Sequence, residues 1–269
     1  IRDSTTTGSK NAAFGYDALI TSTTGANSTA VGYEAARSLT TGTSNVYFGY
    51  RAGRSNTTAS NQVMIGSSAG YASTANNNIG IGAHALYNNT GGNNVAIGYA
   101  AGNLNVTGVG SVWIGSSAGQ RDTGDRNIYI GQECGYGVTG QQTGARNVAL
   151  GYRAFGFSSA TTARYNVAIG PDAMNDVTTG EFNVAVGSSA LSQNTSGSSN
   201  TALGRDTQSG DYSNSVILGR AATADGDNQF VVGSSGHNAG VTTTEAVTPN
   251  TSWTVKINGV NYKIPMETI

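Results

Sequence analysis

Along most of the chain the apolar positions fall in short triplets, each closed by a glycine and separated from the next by polar turns. The clearest copies are Asn94-Val-Ala-Ile-Gly98, Asn147-Val-Ala-Leu-Gly151, Asn166-Val-Ala-Ile-Gly170 and Asn183-Val-Ala-Val-Gly187. Weaker ones include Asn45-Val-Tyr-Phe-Gly49, Asn127-Ile-Tyr-Ile-Gly131 and Asn200-Thr-Ala-Leu-Gly204. Aligned on the closing glycine, the phrase occurs fourteen times: Gly15, Gly32, Gly49, Gly66, Gly82, Gly98, Gly115, Gly131, Gly151, Gly170, Gly187, Gly204, Gly219 and Gly233, 14 to 20 residues apart. Self-similarity at such a period is the mark of a repeat architecture.

The residue before the glycine is apolar in all fourteen copies, and the residue three before it in twelve, Thr29 and Thr201 being the exceptions. Between them stands most often an alanine, as at Ala96, Ala149, Ala168 and Ala185. Three residues after the glycine, alanine recurs in eleven copies. Large, small, large is a period of two, so each phrase predicts a short β-strand. Gly, Asn and β-branched residues at this density argue against helix. The alternation predicts that the large side chains fill the interior of a coil and that the alanine face lies against a neighbouring chain. The glycine allows a positive φ or a close backbone approach. A second short strand around the Gly-x-x-Ala segment is expected to complete each coil.

Clusters such as Thr23-Thr-Gly25, Thr40-Thr-Gly42 and Thr178-Thr-Gly180 are turn chemistry, and they absorb the drift in period. One coil cannot bury its own apolar face, so coils must stack. At about 4.8 Å per strand, fourteen of them make a rod roughly 65 Å long. The fold class predicted is therefore all-β, a parallel β-solenoid or β-roll of about fourteen short coils. So thin a coil needs sister chains, which predicts a parallel homotrimer.

The expected organisation is a lead-in at 1–10, the repeat shaft at 11–237, a Thr- and Asn-rich linker or capping segment at 238–252, and a C-terminal hairpin at 253–269. In the last, Trp253-Thr-Val-Lys-Ile-Asn-Gly-Val-Asn-Tyr-Lys-Ile264 alternates around Asn258-Gly259, the signature of a type I′ turn. Trp253, Val255 and Ile257 can meet Val260, Tyr262 and Ile264. A cap belongs there, because a solenoid end exposes an unpaired strand edge.

Composition narrows the functions. Charged residues are only 11% of the chain and the net charge is −1, which gives no general drive toward nucleic acid or an anionic membrane. The 39 glycines lack a three-residue period and Pro is scarce, which excludes collagen. No apolar run approaches the roughly 20 residues that cross a bilayer. One cysteine excludes an intrachain disulfide framework, and no His or Cys spacing suggests a metal site. No cofactor is expected.

Candidate chemistry is sparse. Cys134 sits in the alanine column and reads as a small buried side chain. His84 reads as a solvated surface histidine, and His237 has no partner in the pattern. Asp17 and Glu34 occupy equivalent places in adjacent coils, a spacing that could serve glycoside hydrolysis, but Arg51 follows in the same column and points to a surface charge ladder. Tyr16, Tyr33 and Tyr50 each follow their glycine, as do Tyr99 and Tyr152. The first three predict an aromatic stripe that either stacks on sugars or packs between protomers. The threonine turns would suit an ice-binding face only if they were flat, and their variable length argues otherwise. Sequons such as Asn56-Thr-Thr58 matter only in a glycosylating host.

These phrases resemble the repeat of trimeric autotransporter adhesin (YadA-like) head domains, which form trimeric left-handed parallel β-rolls. The longer unit, residues 166–204 and again 78–102, is similar to the NTAIGYxALxxNTTGxxN repeat of bacteriophage tail fibres. The resemblance covers residues 11–233. It implies a structural, non-enzymatic attachment protein: the trimeric shaft of a fibre on a phage or similar particle, located on the virion or the cell surface. Its implied partners are itself, other virion or appendage proteins, and a host-surface glycan or protein. A bacterial surface adhesin is the first alternative, disfavoured by the longer period, and a polysaccharide-degrading tailspike the second.

Overall fold

The computed structural model describes residues 7–138, 140–156, 161–234 and 236, and the backbone of 252–257 and 260–265. Fourteen three-residue strands, β1 (Ala12–Phe14) through β14 (Phe230–Val232), form one parallel sheet in sequential order. The result is a β-solenoid of about 13 turns with no helix among the described residues. Every strand coincides with one of the phrases, and the register pairs equivalent residues, as in Val167↔Val184, Ala168↔Ala185 and Ile169↔Val186. Among the described residues, inter-coil backbone bonding starts at Thr7 and Gly8, whose N–H groups donate to Thr23 O.

The strands face the opposite way to that expected. The middle residue points inward: Ala30, Tyr47, Met64, Ala96, Trp113, Tyr129 and Ile217 are all fully buried. The flanking large residues lie outside, with Phe14 77% and Phe48 56% exposed, and none of the 28 flanking positions is buried. The asparagine that opens nine of the fourteen phrases, with Ser or Gln in the other five, explains the orientation. It shares parity with the middle residue, so both project into the coil, and the amide is satisfied only there. Asn166 Oδ1 accepts from Asn183 N–H (2.8 Å) while its Nδ2 donates to Gly180 O (2.9 Å). Asn45, Asn94, Asn127, Asn147 and Asn183 bond the next coil in the same way, forming an internal amide ladder. A buried amide left without these partners would cost about 1–3 kcal/mol per group.

The second strand is absent from the described coils. In its place the residues two and four after the glycine take left-handed conformations in every coil from Gly15 to Gly187, as at Glu34 (φ 52°) and Ala36 (φ 49°), or His84 (58°) and Leu86 (51°). Their N–H groups alternate direction: Glu34 N–H donates back to Tyr16 O, and Ala36 N–H forward to Ala52 O. The coil is thus laced on this side by backbone hydrogen bonds without extended backbone. The closing glycines Gly15 to Gly204 have φ between 129° and 143°, as expected of a residue without Cβ.

Ser252–Ile257 (β15) and Val260–Pro265 (β16) pair antiparallel with Trp253↔Ile264, Val255↔Tyr262 and Ile257↔Val260 in register, as the alternation predicted. The Asn258-Gly259 turn, His237 and nearly all of the 238–252 segment lie outside the described residues.

Candidate binding surface

Outside the strand face, one side of the first coils carries a column of exposed tyrosines with charged residues beside it. Because equivalent residues superpose at each turn, the residue after the glycine makes a column along the axis. Tyr16 and Tyr33 stack with ring centroids 5.2 Å apart and planes 11° from parallel; Tyr33 and Tyr50 follow at 5.5 Å and 15°. The predicted stripe is therefore a continuous stack. Tyr33 gives both faces to its neighbours, so a ligand meets ring edges and hydroxyls, together with the outer face of Tyr16, which is 66% exposed. Tyr99 and Tyr152, further along the column, are exposed as well.

The next column holds the charges. Glu34 accepts from Arg54 Nε (2.6 Å) and Arg51 Nε (2.9 Å) and lies 3.8 Å from Arg37 Nε, which also reaches Asp17 (3.3 Å). The Arg54 hydrogen bond, with that of Arg51, holds the Glu34 carboxyl below its ordinary range. A carboxylate so held is poorly suited to donate a proton, and the geometry here is a charge ladder. The Arg51 guanidinium also lies over the Tyr50 ring (4.9 Å), and the arrangement recurs lower down, where Arg153 lies over Tyr152 (4.8 Å) and bonds Glu133 (2.7 Å).

Sequence reading missed two further aromatic columns, although the same spacing marks them. Five residues after the glycine, Tyr71 and Tyr87 stack at 4.9 Å, with His84 against the Tyr87 and Tyr99 rings and Arg54 Nη1 donating to the Tyr71 hydroxyl (2.8 Å). His84 is thus half-buried among aromatics rather than simply solvated. Five residues before the glycine, Tyr165 and Phe182 stack at 4.9 Å, 5° from parallel.

The remaining candidates take structural places. Cys134 is buried, its Sγ 3.4 Å from Ala149 O, and burial pushes the thiol up. Thr40 and Thr178 use their hydroxyls on the carbonyls of Thr57 (3.0 Å) and Thr195 (2.9 Å) in the next coil, so the threonine turns are laced into the shaft. Among the described residues no three His, Cys, Asp or Glu side chains gather as a metal site.

One buried acid was not anticipated. Asp122 is fully buried, its Oδ2 accepting from Trp113 Nε1 (2.9 Å) and its Oδ1 from Gly124 N–H (3.0 Å) and Asn127 Nδ2 (3.0 Å). Burial pushes its carboxyl up to about 7, against these donors. Equivalent places in other coils hold neutral Asn56, Asn89, Asn105 and Asn194.

The fold defines the chain as a parallel β-solenoid repeat protein. No protein-family model and no curated protein matches it.

Proposed function

We propose that this chain is the shaft of a homotrimeric attachment fibre, carried on a phage or similar particle, that holds a host-surface receptor at a distance from its anchor. The observation that carries this reading is the outer strand face. Two columns of Val, Ile, Leu, Phe and Ala, broken only by Thr29 and Thr201, run unburied along all fourteen strands. At about 4.8 Å per rung and about 10 Å per three-residue strand, the face spans on the order of 600 Å². Contiguous apolar surface of that size marks an association site on a water-exposed protein. The large residues, not the alanines, are thus the subunit contact in this proposal, with three strand faces turned toward a common axis. The repeat's resemblance to tail-fibre and adhesin-head repeats supports the trimeric state and the extracellular or virion location.

Three identical chains would present three copies of the tyrosine stack Tyr16–Tyr33–Tyr50, so weak contacts to a surface glycan or protein gain by avidity. The C-terminal hairpin serves as a cap in this scheme, shielding the free edge of the last strand. The reading includes no catalytic role: Glu34, the acid that a tailspike-type hydrolase would use, is held ionised by its arginines.

Light scattering on the purified chain tests the proposal. A mass three times that of the chain is expected, and a stable monomer would sink it. Replacing Phe48 and Ile97 by Lys should convert the trimer to smaller species, since both side chains stand on the outer face and neither fills the coil.

A further inference from the structure

The column five residues before each glycine is left-handed in every described coil and faces outward. Asparagine tolerates that conformation best after glycine, and it fills the column at Asn27, Asn61, Asn77, Asn93, Asn214 and Asn228. Asn61 Nδ2 donates to Asn77 Oδ1 and Asn77 Nδ2 to Asn93 Oδ1, each at 3.1 Å, so the polar version is also well bonded. Lys10, Ser44 and Ser199 depart from asparagine singly, but four successive coils carry large side chains there. Arg126 (φ 57°), Arg146 (60°), Tyr165 (61°) and Phe182 (58°) take the same strained place, and all four are exposed. Backbone bonds keep them in register: Arg146 N–H donates to Asp125 O, Tyr165 N–H to Ala145 O and Phe182 N–H to Arg164 O.

No packing inside the coil requires these side chains. Neither Arg126 nor Arg146 has a carboxylate within salt-bridge distance among the described residues, whereas Arg164 beside them is paired with Glu181 (3.2 Å). The nearby Asp125 spends its Oδ1 on Val109 N–H (2.9 Å). Two arginines without a carboxylate partner therefore stand on adjacent rungs, whose backbones are about 4.8 Å apart. Arg146 lies over the Tyr165 ring (5.3 Å) and donates to its hydroxyl (2.5 Å), Tyr165 stacks on Phe182, and the next residue in the column is Ser199, too small to cover the far face of Phe182. A bulky or charged residue placed repeatedly against its local conformational preference, and exposed, signals a site.

We propose that Arg126, Arg146, Tyr165 and Phe182 form a binding strip for an acidic polysaccharide lying along the fibre axis. The guanidiniums take successive anionic groups by charge-assisted hydrogen bonds, and the apolar face of a sugar ring rests on Phe182. The strip lies apart from the Tyr16–Tyr33–Tyr50 stack, and its ligand is a host-surface one in so far as the fibre reading holds.

The test uses the full chain, with binding to polygalacturonate oligosaccharides measured by calorimetry at low salt, dextran sulfate as the sulfate-bearing counterpart, and neutral dextran and duplex DNA as controls. The variants are Arg126→Asn with Arg146→Asn, and Phe182→Ser; Asn and Ser both occur naturally in this column, so the fold tolerates them. We expect binding to at least one acidic polymer, whichever anion it carries, weakened about tenfold or more by the double Arg variant and by rising salt, and none to neutral dextran. No binding to either acidic polymer, equal binding by the double variant, or equally tight binding of DNA would overturn the proposal. Light scattering on the same samples separates the two readings: a trimer that ignores acidic glycans defeats the strip and leaves the fibre, while a monomer that binds them defeats the fibre and leaves the strip.

Discussion

Trp113 and Gly119 share one space: a Cβ added at Gly119 would overlap the Trp113 ring at its Cδ1 and Nε1 atoms. The same exclusion links Tyr47 with Gly53, Met64 with Gly70 and Tyr129 with Gly135. Where the strand position is small, the position six residues on is large, as in Gly80 with Leu86, Ala149 with Phe155, Ala168 with Met174 and Ala185 with Leu191, the large partner always fully buried. Ala96 and Gly102 are both small, and there Trp113 and Leu86 lean in from the neighbouring coils. The coil interior thus admits about one bulky side chain per turn, supplied from either of two places.

This rule predicts a rescue. Phe155→Gly should leave a cavity and cost about 3–5 kcal/mol, and Ala149→Met alone should overpack by about 1–3 kcal/mol. Together they rebuild the natural Met64/Gly70 combination, with a bulky strand residue in the preceding coil (Tyr129, as Tyr47) and a bulky turn residue in the following one (Met174, as Leu86). The double variant should recover most of the loss in a denaturant-melt cycle. Additive losses would show that the two positions do not share volume.

At Gly187, φ is 140° and an added Cβ would stand 2.5 Å from Gly204 O and 2.6 Å from its carbonyl carbon. Both atoms are backbone in the next rung and cannot turn aside. Gly187→Ala should therefore cost about 3 kcal/mol or more, seen as a drop in urea midpoint, whereas Ser189→Ala, two residues on, should stay within about 1 kcal/mol.

The amide ladder makes a local prediction. Asn166→Ala removes the acceptor of Asn183 N–H and the donor to Gly180 O, both buried, for a loss on the order of 3 kcal/mol. Amide exchange at residue 183 should accelerate by about a hundredfold relative to residue 97, five strands away in the sheet. Equal acceleration at both sites would mean that the shaft opens only as a whole.

Asp122 should make stability fall as pH rises. Its folded-state carboxyl titrates near 7, against an ordinary 3.8, so between those values the folded chain keeps a proton that the unfolded chain has released. The stabilisation of the neutral acid is lost progressively across that window, and above about pH 7 the buried charge is fully present. At about 1.4 kcal/mol per pH unit the change is at most roughly 4 kcal/mol. Thermal midpoints measured from pH 5 to 8 should decline for the wild type and stay level for Asp122→Asn. Parallel curves would show that the carboxylate is stabilised by its three donors as an anion throughout.

The sequence by itself determined the number of rungs, the strand within each, the glycine that closes it and the C-terminal hairpin, because each depends on spacing and backbone preference within a few residues. The columns of Tyr16, Tyr33 and Tyr50 and of Asp17, Glu34 and Arg51 were legible for the same reason, since a strict repeat turns sequence period into spatial neighbourhood. Only the tertiary structure decided which way the strands face. Alternation defines two sides without naming the inner one, and the choice fell to the buried asparagine, whose amide finds its partners inside the stacked coils. The absence of a second strand likewise followed from alternating left-handed residues that propensity does not forecast. The Trp113–Gly119 exchange and the burial of Asp122 arise where side chains six or nine residues apart meet across a closed turn, a proximity that exists only once the coil has formed.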